Sequence, residues 1–317
     1  MITNHLSHQL MRSTHMNFSQ LQGLAALADT GSFTEAAERV HLTQSAVSHG
    51  LAALESELGV TLVERSRKGV AALTAAGERI MPHVRAMLAH AEAVEQEARA
   101  AQGRVAGRLR LASIQAFIPP RVLGSLLATF QQRYPEIEVV LFEGALQDVG
   151  EWIQQSVVDL GLVLLPARGT ISTQIATDEL IVLVPADHAL RSRAAVRHEE
   201  LLDEGFILEK TNCALHVLAQ AGFSFGGQRP NIRYQANDSA TIFAMVREGL
   251  GITIAPRHML PSKLDGLALL RLDPPQPLLI GLAARAKTPV SPAASRFTEV
   301  AADWASQQSA ADWFSEA

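Results

Sequence analysis

Three closely spaced runs of helical periodicity open the chain. Phe18, Leu21, Leu24, Ala25 and Ala28 share one helical face. Asp29-Thr30-Gly31 ends that run, with Gly31 suited to the left-handed position after a helix. Ser32-Phe33-Thr34-Glu35 has the form of a capping box, in which Ser32 caps and Glu35 reaches back, and predicts a short helix through Val40. His41-Leu42 reads as a turn. Thr43 can cap a third helix with the apolar face Val47, Leu51, Leu54 and Leu58, which Gly59 stops. Residues 60–64 and 70–73 read as short strands around the turn Ser66-Arg67-Lys68-Gly69. Three helices followed by a small ribbon describe a winged helix-turn-helix over 16–73.

The spacing predicts one long helix over 74–102. Ile80, Val84, Met87, Ala91, Val94, Ala98 and Ala101 recur in alternating steps of four and three, a heptad seam suited to a paired helix. The alternative is a single amphipathic helix packed on its own domain. Pro82 falls near its start and is expected to kink it, and 103–107 reads as a hinge. From Arg108 strands and helices alternate. Strands are expected at 109–112, 137–142, 159–165, 180–185, 206–208, 232–235, 252–255, 267–272 and 278–284. Helices are expected at 119–132, 148–157, 214–221, 239–248 and 292–306. That texture is α/β, with crossover helices on sheets.

Composition narrows the class. The 317 residues suggest about two domains at roughly 150 residues each. Hydrophobic residues make up 48% and charged residues 19%, so a disordered polar chain is excluded. Cys213 is the one cysteine, which excludes an intrachain disulfide and cysteine-cluster zinc sites and fits a reducing cytoplasm. No apolar run is long enough for a transmembrane helix, and 1–15 lacks the apolar stretch of a signal peptide. We read 1–15 as a disordered extension, with Met11 and Met16 as alternative starts, and 307–317 as a tail.

The net charge of −5 gives no global sign of a nucleic-acid partner. Residues 17–73 hold four Lys and Arg against six Asp and Glu, and the six arginines and four glutamates of 74–110 bring 17–110 to zero. The case for DNA therefore rests on geometry and on local basicity. In a helix-turn-helix the first turns of the second helix meet base edges. Here those turns carry Gln44, Ser45, Ser48 and His49, with Ser32, Thr34 and Thr43 beside them, and glutamine can bond adenine with two hydrogen bonds. Arg65, Arg67 and Lys68 of the ribbon suit phosphate or minor-groove contact.

The residues from Gly31 to Ser48, Leu54-Glu55-Ser56-Glu57-Leu58-Gly59-Val60, Leu62-Val63-Glu64-Arg65 and Leu73-Thr74-Ala75-Ala76-Gly77-Glu78 resemble the amino-terminal domain of LysR-type transcriptional regulators. The likeness continues through Phe130-Gln131-Gln132-Arg133-Tyr134-Pro135, Asp159-Leu160-Gly161-Leu162 and Val246-Arg247-Glu248-Gly249-Leu250-Gly251-Ile252, about 290 residues in all. Ser45 stands where the family usually has proline, Val63 where it has phenylalanine, and Gly50 where a longer residue is usual. Glycine within a helix costs about 0.5–1 kcal/mol.

The resemblance implies a winged helix-turn-helix, a linker (dimerisation) helix over 74–103, and a two-lobed α/β effector-binding domain over 108–306 resembling type 2 periplasmic binding proteins. On that template one lobe is 108–178 with 279–306, and the other is 179–278. The chain crosses near Thr177-Asp178 and Pro274-Pro275. The implied partners are double-stranded DNA, a small-molecule effector, a second or further copies in a homodimer or homotetramer, and RNA polymerase. No membrane partner, cofactor, metal or catalytic residue is implied. Ser113 falls where such proteins often place an effector-binding hydroxyl, followed by Gln115 and Ala116. Thr211 and Asn212, and Asn237 and Ser239, precede helices across the cleft. Helix N-termini favour a carboxylate effector, although a polar residue there is as readily an ordinary N-cap. Arg168 could counter an anion from its loop, although it reads more readily as a solvated loop charge. The single cysteine argues against the peroxide-sensing branch, which uses two.

Other classes lack their signals. There is no nucleophile elbow, phosphate-binding loop or zinc-protease motif. A cytosolic solute-binding protein, or an α/β enzyme with no DNA role, would share the second half of the chain without the first. A DNA mobility shift separates both from a regulator.

Overall fold

The computed structural model describes residues 16–65, 71–102, 105–115, 117–210, 216, 218–219, 223, 229–261, 263–286 and 290–308. Two compact units meet in sequence between Ala98 and Arg99. The expectations for 1–15 lie outside the described residues, as do those for 309–317 and nearly all of 211–228.

The first unit runs through α1 (Phe18–Thr30), α2 (Phe33–Arg39), α3 (Gln44–Leu58), the antiparallel pair β1 (Val63–Arg65) and β2 (Ala71–Leu73), and the start of α4 (Ala75–Ala101). A capping box does begin a helix here, but at α1. The Asn17 side chain accepts from Gln20 N–H at 3.0 Å, and the Gln20 side chain accepts from Asn17 N–H at 2.8 Å. At α2 only half of the expected box forms. Ser32 Oγ accepts from Glu35 N–H at 3.4 Å, while the Ser32 N–H donates to Thr30 Oγ1 at 3.3 Å, so Glu35 does not close it.

The turn after α2 is a Schellman motif. Leu42 N–H donates to the Ala37 carbonyl and His41 N–H to the Glu38 carbonyl. His41 takes the left-handed position at φ +56°. Leu21, Leu24 and Leu27 of α1, Ala36 of α2, Leu51 and Leu54 of α3, and Leu62 form one core with Met81 and Val84 of α4. Each fully buried leucine contributes about 1.5–3 kcal/mol.

This core divides the predicted heptad seam. Val84 is buried in it and Ile80 packs against it, so both positions serve their own unit. Met87 and Val94 are exposed at 40% and 69%.

The second unit begins with β3 (Gly107–Ile114), α5 (Pro120–Arg133), β4 (Ile137–Gly144), α6 (Leu146–Gln154) and β5 (Leu160–Leu164). Strands β4 and β5 flank β3 in parallel, as crossover helices require. Then come β6 (Thr170–Pro185), β7 (Ala195–Val196), a 3₁₀ turn at His198–Leu201, β8 (Gly205–Glu209), β9 (Asn231–Ala236) and α7 (Ser239–Arg247). The chain continues with β10 (Thr253–Pro256), β11 (Leu267–Leu272), β12 (Pro277–Arg285) and α8 (Pro292–Ser306).

The large sheet has the order β4-β3-β5-β12-β6-β11-β7, with β10 also on β6. β6 is ten residues longer at its start than the strand expected at 180–185. Its residues 170–179 pair with β12, and 180–185 pair with β10 and β11. One strand thus passes from one half of the sheet to the other, and Asp273 to Gln276 lead back to β12. Phe130 and Phe297 lock α5 to α8 edge to face, at 4.9 Å between ring centres. Ile242, Phe243 and Val246 of α7 pack on Leu183, Ile207 and Ala255.

Candidate nucleic-acid interface and effector site

The site on the first unit is built by α3. Its inward stripe is Val47, Leu51 and Leu54. Rotation by the helical repeat leaves Gln44, Ser45 and His49 exposed on the first two turns, with Ser48 half-buried beside them. Thr34 is exposed on α2. Two of the predicted contacts have local partners. Thr43 Oγ1 accepts from Ala46 N–H at 3.2 Å and lies 3.1 Å from Ser45 Oγ, which makes Thr43 the cap of α3. Ser32 caps α2. Arg65 ends β1, while Arg67 and Lys68 lie outside the described residues.

A feature that residue type alone did not reveal lies at the end of α1. Asp29, at the end of α1, accepts from Arg85 of α4 at 2.7 Å and pairs with Arg39 of α2 at 3.3 Å. The carboxylate ties three helices of the motif together.

In the second unit, Ser113 is the penultimate residue of β3, 2% exposed, and stands in register with Glu143 and Leu162 on either side. Gln115 follows it at the surface, with its N–H donated to the Gly144 carbonyl at 2.9 Å. Helix α5 begins just beyond, after Pro119, with no side-chain cap on its first turn. Ala116, Thr211 and Asn212 lie outside the described residues.

Asn237 is exposed and Ser239 half-buried before α7, but the residue that caps α7 is Asp238. Its carboxylate accepts from Thr241 N–H at 2.8 Å and from Thr241 Oγ1 at 2.9 Å. These hydrogen bonds, the backbone one first, hold Asp238 below the usual carboxylate range. The positive end of α7 is therefore already answered by a negative charge, whereas the first turn of α5 carries no acidic residue. Arg168 is exposed, and its carbonyl accepts from Gln154 Nε2 at 3.3 Å.

Among the described residues no cluster of His, Cys, Asp and Glu could hold a metal ion, and no helix is long and apolar enough to cross a membrane.

Two family models match the chain, one in each unit. Residues 18–78 match the bacterial regulatory helix-turn-helix protein, lysR family, and residues 102–306 match the LysR substrate binding domain. The chain belongs to the LysR family of DNA-binding transcriptional regulators, in which a helix-turn-helix unit is joined to an effector-binding domain. It is 35% identical over 292 residues to the probable HTH-type transcriptional regulator LrrA of Synechococcus elongatus, covering 90% of this chain and 96% of that protein. It is 31% identical over 266 residues to the HTH-type regulator YvbU of Bacillus subtilis, covering 79% and 88%. A solved structure of full-length OxyR from Pseudomonas aeruginosa, a Cys-to-Asp variant, shares the fold with a TM-score of 0.75, 24% identity, and coverage of 94% of this chain and 100% of that one.

Proposed function

We propose that α3 reads operator DNA through Gln44, Ser45, Ser48 and His49, and that Arg65, Arg67 and Lys68 of the ribbon hold phosphates on either side. The observation that carries this reading is the division of α3 into the buried stripe Val47, Leu51, Leu54 and the exposed first turns. Ser32 and Thr43 act as caps that set the two helices, and Thr34 adds a polar contact from α2. The regulator works in the cytoplasm as a homodimer or homotetramer. The lower half of α4, with Met87 and Val94 outward, supplies part of the contact between copies. RNA polymerase is its partner at the promoter.

The effector sits at the end of β3, against Ser113 and Gln115 and the first turn of α5, with Asn237 and Ser239 contributing from the segment that leads into α7. An anionic group belongs at the α5 side, since Asp238 repels one at α7. Fluorescence anisotropy with the promoter fragment tests the DNA assignment. Gln44→Ala is expected to weaken specific binding by about 1–3 kcal/mol and relax base preference at one position. Unchanged operator affinity for Gln44→Ala and for Arg65→Ala overturns it. Ser113→Ala is expected to blunt the effector response in calorimetry and leave effector-free DNA binding intact.

A further inference from the structure

The base of the ribbon is held from both sides at Leu62. Glu55, on the last turn of α3, has two separate roles. Its backbone carbonyl accepts from Gly59 N–H at 2.8 Å and Val60 N–H at 3.2 Å, where Gly59 turns the chain out of the helix at φ +70°. Its carboxylate then reaches past that turn. Oε1 accepts from Leu62 N–H at 2.7 Å and from Val63 N–H at 3.1 Å. On the other side, the Leu62 carbonyl accepts from Thr74 N–H at 2.9 Å, and Thr74 Oγ1 donates to the Thr61 carbonyl at 2.7 Å. Gly77 of α4 passes so close that a Cβ there would run into the Leu62 carbonyl. The Leu62 side chain is fully buried in the core.

We infer that Glu55 is a positioning residue for DNA binding: its carboxylate fixes the first strand of the ribbon to the recognition helix. The inference rests on the reading of α3 and the ribbon as the two DNA-contacting elements. It opposes what simple electrostatics expects of an acidic side chain on a DNA-binding unit. If Glu55 acted only as a charge, removing it would tighten binding to a polyanion, and keeping it would change nothing. If it acts through the Leu62 and Val63 amides, what counts is an oxygen at the right reach. Charge and reach are separable by substitution.

Glu55→Gln removes the charge and keeps the oxygen. Glu55→Asp keeps the charge and shortens the arm by one methylene. Affinity is measured by anisotropy on promoter DNA and on unrelated DNA, across a salt series. Glu55→Gln is expected to bind as tightly as the parent or tighter, with the same slope of log affinity against log salt. Glu55→Asp is expected to bind both DNAs about three- to tenfold more weakly, with the slope reduced by about one as a phosphate contact of the ribbon is lost.

Glu55→Asp behaving as the parent, while Glu55→Gln binds tighter, overturns the inference. Arg65→Ala in the parent separates the two layers of the argument. If it flattens the salt slope and Glu55→Asp does not, the inference about Glu55 fails alone. If Arg65→Ala leaves the slope unchanged, the ribbon reading fails and takes this inference with it. Hydrogen exchange guards against a plain folding defect. In Glu55→Asp the Leu62 and Val63 amides are expected to exchange faster while the amides of α3 stay protected. Loss of protection throughout α3 would show Glu55 to be a folding residue and also overturn the inference.

Discussion

Asp178 and His258 meet where β6 changes partners. The Asp178 carboxylate accepts from the His258 backbone N–H at 3.4 Å and lies against Nδ1 of its ring, with the two side chains 2% and 6% exposed. Asp178 also takes the N–H of Glu179 at 2.7 Å. Glu179, one residue on, pairs with Arg257 at 2.8 Å and Arg271 at 2.9 Å, but those arginines are 42% and 57% exposed. The two neighbouring acids should therefore differ in worth. Asp178→Ala leaves buried donors without an acceptor and is expected to lower unfolding free energy by about 2–4 kcal/mol. Glu179→Ala gives up largely solvated ion pairs, at about 1 kcal/mol or less. Urea denaturation ranks them, and equal costs would show that the buried contact does not hold this junction.

Gly50 lies in the middle of α3, and a Cβ there would meet only Gln20 Cγ, at 3.6 Å. That is ordinary contact, so nothing in the packing requires glycine. Gly50→Ala is expected to stabilise the first unit by about 0.5–1 kcal/mol through helix propensity alone. A thermal melt that falls instead would reveal a contact that alanine disturbs.

Thr253 is fully buried in β10, and its hydroxyl has no hydrogen-bond partner among the described residues. An unmet hydroxyl in an apolar setting is a net loss, and valine has the same shape. Thr253→Val is expected to be neutral or about 1 kcal/mol more stable in denaturant melts. A loss of 1 kcal/mol or more would mean that the hydroxyl is satisfied, for instance by a buried water.

His198 sits in the 3₁₀ turn after β7, 8% exposed, edge-on to Phe223 at 5.0 Å, and its Nε2 has no partner among the described residues. Desolvation by burial lowers its pKa, against a smaller raising effect from Glu199. The unfolded chain therefore binds this proton more readily than the folded one. The contribution to stability is whole above the ordinary histidine pKa of about 6.5 and declines as pH falls through it toward the folded value. Melting temperature should drop between pH 7.5 and 5 by less in His198→Phe than in the parent. Parallel pH profiles for the two proteins would remove His198 from the acid response.

The sequence made the apolar framework legible and left the polar detail open. The stripe of α3, the strand at Leu267–Leu272 and the final helix at Pro292–Ser306 all follow from periodicity. Residues 170–179 gave no such signal. Ile171, Ser172, Thr173 and Gln174 are exposed, and they form a strand because β12 pairs with them. The heptad seam was visible as a repeat, but a repeat does not say which turns a neighbouring core will take, and Ile80 and Val84 went to the core beneath them. At the candidate sites, residue type marked Ser32, Thr43, Asn237 and Ser239. The structure shows two of these as caps, and gives the third cap to Asp238. A hydroxyl or carboxylate before a helix suits an internal N–H and an external ligand equally well, so spacing alone does not choose between them.

β6 and β12 are adjacent in the sheet but separated in the chain by roughly 90 residues. At about 5–20 residues per second, a growing polypeptide supplies β5 and β6 some 5–20 seconds before β12 can slot between them. For that interval the edges of β5 and the first half of β6 have no neighbour, and the exposed flank of a strand invites pairing with other chains. The polar run Ser172-Thr173-Gln174 along that flank is the kind of surface that stays soluble while it waits. The half-sheet begun first during synthesis is thus the last to close.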